Sequence, residues 1–116
     1  YGSVLYYGNI NADGGSSLDA DGGNAANMLI EGAKMFIEGI INLVGGEAVN
    51  ASGGDGGRVD LNGELKSNFE DINYDLTGGA GADGDTGDDG CTGGFFVNGI
   101  NYNSGSSCFY GVKEVL

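Results

Sequence analysis

The sequence contains no histidine, no proline and no tryptophan among its 116 residues. Without histidine there is no Ser–His or Cys–His nucleophile pair and no imidazole ligand for zinc. Without proline, and without a strict Gly-X-Y period, a collagen triple helix is excluded. Without tryptophan there is no indole platform for a sugar ring. Positive charge is nearly as scarce. Lys34, Arg58, Lys66 and Lys113 stand against 17 acids, for a net charge of −13. No basic stripe with interleaved aromatics exists, so nucleic acid and anionic membranes are not expected partners. No apolar run approaches the roughly 18 residues of a membrane span. No glycine-rich stretch has the G-x-x-x-x-G-K-[ST] pattern, and the acids there would repel phosphate.

What is present is glycine, 26 of 116 residues, far above the usual ~7%. Each glycine carries extra entropy to lose on ordering, so a folded chain must need them. Val, Ile, Leu and Phe make up 27 residues, about 23%, just above the ~20% below which a highly charged chain is expected to be disordered. The length fits one domain with a modest core. Tyr1 opens the sequence without Met or a signal-like segment, and the expectation is a mature, processed or excised piece.

The chain repeats itself. "INADGG" (10–15), "VNASGG" (49–54) and "GADGDTG" (81–87) are each followed by a Gly/Asp corner: "DADGGN" (19–24), "GGDGG" (53–57) and "GDDG" (87–90). After each corner comes a short run ending in glycine: "MLIEG" (28–32), "VDLNG" (59–63) and "FFVNG" (95–99). The first two of these endings are 31 residues apart and the next two 36, while the pairs Gly45-Gly46 and Gly78-Gly79 are 33 apart. This gives one domain, 1–116, with repeat units at 10–46, 49–79 and 80–105 and a C-terminal cap at 106–116. "VLYYGNIN" (4–11) reads as the tail of a preceding unit, by comparison with "FFVNGINYN" (95–103). Within units the alternation is that of strands: Val59, Leu61 and Leu65 face one way, and so do Ile72, Tyr74 and Leu76. Glycine at the corners would supply positive φ and close backbone approach.

"INADGG…DADGGN…MLIEG", "VNASGGDGGRVDLNG" and "GADGDTGDDGCTGGFFVNGIN" resemble glycine-rich right-handed β-helix segments of secreted and surface-attached proteins. The resemblance covers residues 8–103. It implies a parallel β-solenoid of about three coils, usually extracellular. Its members include polysaccharide-degrading enzymes, adhesins and fibre components. Three coils are few for that family, which implies a cap, a partner or self-association.

Residues 24–46 carry a competing signal. Ala26, Ile30, Ala33, Ile37, Ile40 and Val44 follow a 4-3-4-3-4 spacing opposite a polar stripe. That is an amphipathic helix pattern, with Asn24 as N-cap and Gly45-Gly46 as stop. Against it stand Gly32 and Gly39, each costing about 1 kcal/mol in a helix interior. The fold class is therefore mainly β, a short glycine-rich solenoid. The alternative is α+β, with one helix at 24–44 packed on glycine-rich strands.

The densest acids are Asp83, Asp85, Asp88 and Asp89. Like charges this close repel unless a cation or full solvation offsets them, and a glycine-broken loop lets oxygens converge on Ca²⁺. Ca²⁺ is the one cofactor the composition suggests; a solvated acidic loop is the plainer reading. The spacing is not that of an EF-hand. Arg58, the only arginine, has Asp60 or a carboxylated ligand as candidate partner, a surface ion pair being the plainer reading. Asn50-Ala51-Ser52 is the only glycosylation sequon. Cys91 and Cys108 are compatible with one disulfide in an oxidising compartment or with two buried thiols. A bridge would close a loop worth about 3 kcal/mol. Tyr6, Tyr7, Phe95, Phe96, Phe109 and Tyr110 form doublets near the chain ends. In alternating strands one ring of each pair would face outward, as a subunit contact or an end cap.

No acid sits in a recognisable catalytic motif. The sequence therefore points to a non-enzymatic, extracellular structural protein, a subunit of a self-assembling surface filament or adhesive fibre. The expected partner is a second copy, as homo-oligomer or homopolymer. Polysaccharide is the partner in the competing reading, a carbohydrate-active or carbohydrate-binding module; a third reading is a fragment of a larger surface protein.

Overall fold

The computed structural model describes residues 2–82 and 88–108. The chain is mainly β. Strands β1 (Ser3–Asn11), β2 (Met28–Asn42), β3 (Val59–Leu65), β4 (Ile72–Asp75), β5 (Phe95–Val97) and β6 (Ile100–Asn101) follow in order. They form one sheet in the order β1-β2-β3-β5-β6, with β4 also pairing β2. Every pairing is parallel except the short β5–β6 hairpin.

The registers reproduce the sequence periods. β1 meets β2 from Ser3↔Lys34 to Asn11↔Asn42, an offset of 31. β2 meets β3 at Met28↔Val59, again 31. Gly39↔Ile72 gives 33, and Val59↔Phe95 gives 36. Residues one period apart therefore sit side by side, and apolar positions stack into one core. Met35, Ile37, Ile41, Val59, Leu61 and Phe95 are fully buried there. Each such side chain contributes about 1.5–3 kcal/mol of burial. As expected, Val59 and Leu61 share the inner face, and so do Ile72 and Leu76 with Tyr74 packed beside them.

The helix expected at 24–44 is not formed: Met28–Asn42 is a single strand of 15 residues. Its inner face is Met28, Ile30 and Gly32, then Met35, Ile37, Gly39 and Ile41. The register with β3 slips between Glu31 and Lys34, which moves the inward set from even to odd positions. A period-two face with one phase slip places Ile30 and Ile37 seven residues apart, and that spacing imitates a helix. Ile40, assigned to the apolar helix stripe, points outward and is 40% exposed. Gly39 sits at φ +126°, in register with Gly8, and a Cβ there would strike the Gly8 carbonyl. That site needs a strand-bend glycine and would strain any helix.

Beside the side-chain core lies a second layer made of backbone. The segments 12–17, 43–48 and 76–80 stack through Ala12 N–Asn42 O, Gly14 N–Val44 O, Leu43 N–Asp75 O and Gly45 N–Thr77 O bonds of 2.8–3.0 Å. The segments 22–28, 53–59 and 88–94 stack likewise, with donors at Gly22, Ala25 and Met28 and then at Gly53, Gly56 and Val59. Donors every third residue match the threefold turn of a polyproline II helix, not the twofold pleat of a strand. The two stacks are stitched together by Gly23 N–Gly15 O, Gly46 N–Gly23 O, Gly54 N–Gly46 O, Gly79 N–Gly54 O and Gly90 N–Gly79 O, all 2.8–2.9 Å. A Cβ on Gly46 or Gly54 would fall onto the carbonyl of Gly15 or Gly23. The stacks therefore touch backbone to backbone, which only glycine permits.

The Gly53–Gly57 run is thus not a corner. None of its residues has positive φ; among the described glycines only Gly8, Gly39, Gly63 and Gly99 do. It is the middle rod of one stack, excluding side chains so that its neighbours can approach.

Candidate functional site

The outward surface of the glycine stacks carries a ladder of short polar side chains. Asp13 Oδ1 accepts the Val44 N–H at 2.8 Å, Asp21 Oδ1 the Ser52 N–H at 3.1 Å, Asn24 Oδ1 the Asp55 N–H at 2.8 Å and Asn27 Oδ1 the Arg58 N–H at 3.0 Å. All four span 31 residues. The next rung repeats two of them across 36 residues: Ser52 Oγ accepts from Asp88 N and Asp55 Oδ1 from Cys91 N. The physical need is plain. A threefold rod leaves backbone N–H groups that its stacked neighbour does not meet, and a side-chain oxygen one period earlier fills each. The sequence signal is a triplet of one polar residue and two small ones, as in Asp21-Gly22-Gly23-Asn24-Ala25-Ala26-Asn27 and Ser52-Gly53-Gly54-Asp55-Gly56-Gly57. Reading those stretches as corners missed it.

The ladder borders a groove of about 340 Å³ lined by Asn24, Ala25, Asn27, Asp55, Gly56, Cys91 and Cys108. Its far wall is the Cys91–Cys108 disulfide, with Cα atoms 5.0 Å apart. The bridge expected from the two cysteines is formed. Asp55 lies close to both sulfurs, but the disulfide leaves no thiolate to ligate a metal. The Arg58 guanidinium forms two bonds to Asp60, Nε–Oδ2 at 2.7 Å and Nη2–Oδ1 at 3.0 Å. It also lies 3.9 Å above the centre of the Phe96 ring. The pairing expected for Arg58 is present, and the stack on Phe96 is additional.

The other singled-out residues fall in separate places. Asn50 lies on an exposed turn, its Nδ2 donating to Asp19 Oδ1 at 3.1 Å. Asp83 and Asp85 lie outside the described residues, as do Phe109 and Tyr110. Asp88 and Asp89 are exposed, and Asp89 Oδ1 already accepts the Gly81 N–H at 2.8 Å. Phe95 and Phe96 occupy opposite faces of β5, yet both are buried, so neither ring of this doublet projects into solvent. Tyr6 packs against the core, and its hydroxyl is buried without a partner among the described residues. Burial raises the phenol pKa of both Tyr6 and Tyr74 above 10.0.

The two ends of the array differ. At one, Phe69, Tyr74, Phe95 and Tyr102 form a ring cluster with centroids 4.8–5.7 Å apart. Above it the segment 98–108 folds back: Tyr102 N bonds Phe95 O at 2.7 Å, Ser107 N and Cys108 N bond Thr92 O at 2.9 and 3.0 Å, and Asn103 Nδ2 bonds Gly93 O at 2.8 Å. At the other end, among the described residues, β1 pairs only with β2. No family model, curated protein or solved structure matches this chain. No helix among the described residues is long and apolar enough to cross a membrane.

Proposed function

We propose that the chain is a non-enzymatic structural module, a short β-solenoid of about three coils that forms a rigid part of an extracellular surface fibre. The observation that carries this reading is the double array. Parallel strands and glycine rods stack along one axis with periods of 31, 33 and 36 residues, and their amides are joined coil to coil. Such a stack is stiff along its length and extends by repetition. The acidic surface suits solubility at high density, and the disulfide suits an oxidising compartment. The parallel path also explains the glycine content, because the rods approach more closely than any side chain allows.

Immunogold electron microscopy of intact producing cells tests the proposal, with label expected along surface fibres. Label confined to the cell interior refutes it. Incubation with neutral and acidic polysaccharides tests the non-enzymatic part. Release of reducing ends would select the competing carbohydrate-active reading, with the groove beside Asp55 as its site.

A further inference from the structure

The β1 end of the array is built to be covered. Val4, Tyr6 and Ile10 are only half-buried, although they point into the core. Their partners one period on, Met35, Ile37 and Ile41, are 0% exposed. β1 contributes nine residues, and among the described residues one of its edges has no partner strand. Exposed edges are normally blunted by charge, proline or a bulge. Here residues 2–12 carry no charge at all in a chain of −13.

The ladder sharpens this. Val44, Ser52, Asp55 and Arg58 each donate a backbone N–H to a side chain 31 residues earlier. One period back, the corresponding amides are those of Asp13, Asp21, Asn24 and Asn27. None has a partner among the described residues. The missing acceptors are the next rung of the same pattern.

The geometry points to one occupant: a further coil of this repeat type, parallel to β1, with Asp or Asn oxygens set to meet the amides of Asp13, Asp21, Asn24 and Asn27. A second copy does not fit this description. Its closed end presents Cys91 and Gly94 where the rung needs Asn, and the 98–108 segment covers Thr92, Gly93 and Phe95. An antiparallel mate would pair the edge of β1 but leave the four ladder amides unmet.

The inference rests on the solenoid reading and not on the fibre role, since its test reads amide protection and not location. Residues 1–31 are duplicated ahead of Tyr1, which places the added rung in the 31-residue register. Hydrogen exchange is then compared with the unextended chain. The outward amides of β1 and those of Asp13, Asp21, Asn24 and Asn27 in the resident coil should slow by at least about 100-fold. Asn24→Ala in the added copy alone should restore fast exchange at the resident Asn24 amide and leave the others protected. Unchanged exchange in a folded, extended chain overturns the inference. So does concentration-dependent dimerisation of the unextended chain that protects the same amides, because the occupant would then be a second copy.

Discussion

Gly54→Ala tests the backbone lattice directly. Gly54 is buried, donates to Gly46 O at 2.9 Å and accepts from Gly79 N at 2.8 Å. An added Cβ would collide with the Gly23 carbonyl, which is backbone and cannot swing aside as a side chain tip could. Overpacking of this kind costs about 1–3 kcal/mol. Parting the stacks would also weaken one or two hydrogen bonds, at about 1 kcal/mol each. The smaller entropy of the unfolded alanine chain returns about 0.4–1 kcal/mol. The net expectation is a loss of roughly 1–4 kcal/mol, against a total of roughly 6–17 kcal/mol for a domain of this size. Gly15→Ala is the matched control. A Cβ at Gly15 meets nothing within 4 Å, and its φ is not positive, so this change should be neutral or stabilising by up to about 1 kcal/mol. Urea denaturation of both variants and the parent, with equal slopes, gives the comparison. Gly54→Ala as stable as Gly15→Ala would refute the lattice, because the same residue change would then be blind to position.

Reduction of Cys91–Cys108, which closes 17 residues, should lower stability by about 3 kcal/mol and lower the melting temperature. Hydrogen exchange should rise first in 98–108 while β1–β2 amides stay protected; an unchanged melting temperature would count against the cap. Alkaline titration should also destabilise the fold. Tyr6 and Tyr74 favour the neutral phenol when folded, since burial raises their pKa above 10.0. Their contribution is therefore fully present below pH 10 and declines as pH rises through the raised values. Melting temperature against pH, followed with tyrosinate absorbance, checks it, and a melting temperature that climbs above pH 10 would contradict the sign.

How far the sequence could be read depends on which group carried the signal. The periods of 31, 33 and 36 were legible because one period brings like side chains into register, so Met28, Val59 and Phe95 must all be apolar. The strand at 28–42 was harder, because a slip at Gly32–Ala33 turns period two into an apparent seven. Of the two roles expected for the glycine runs, close backbone approach is present and positive φ is not. Glycine is usually argued from positive φ, yet here its absent side chain matters more than its freedom. A rod packed against rods on one side needs two small residues in three, and the third position is free to reach outward. That third position is Asp, Asn or Ser at 13, 21, 24, 27, 52 and 55, and each accepts an amide one period on. The same rule explains why the pattern stops at Cys91. Its side chain turns to the disulfide, Thr92 and Gly93 bond the returning 98–108 segment, and among the described residues no further rung follows. Among the described residues the repeat therefore has a direction: closed at Cys91, where the 98–108 segment bonds Thr92 and Gly93, and open at β1, where the amides of Asp13, Asp21, Asn24 and Asn27 have no partner.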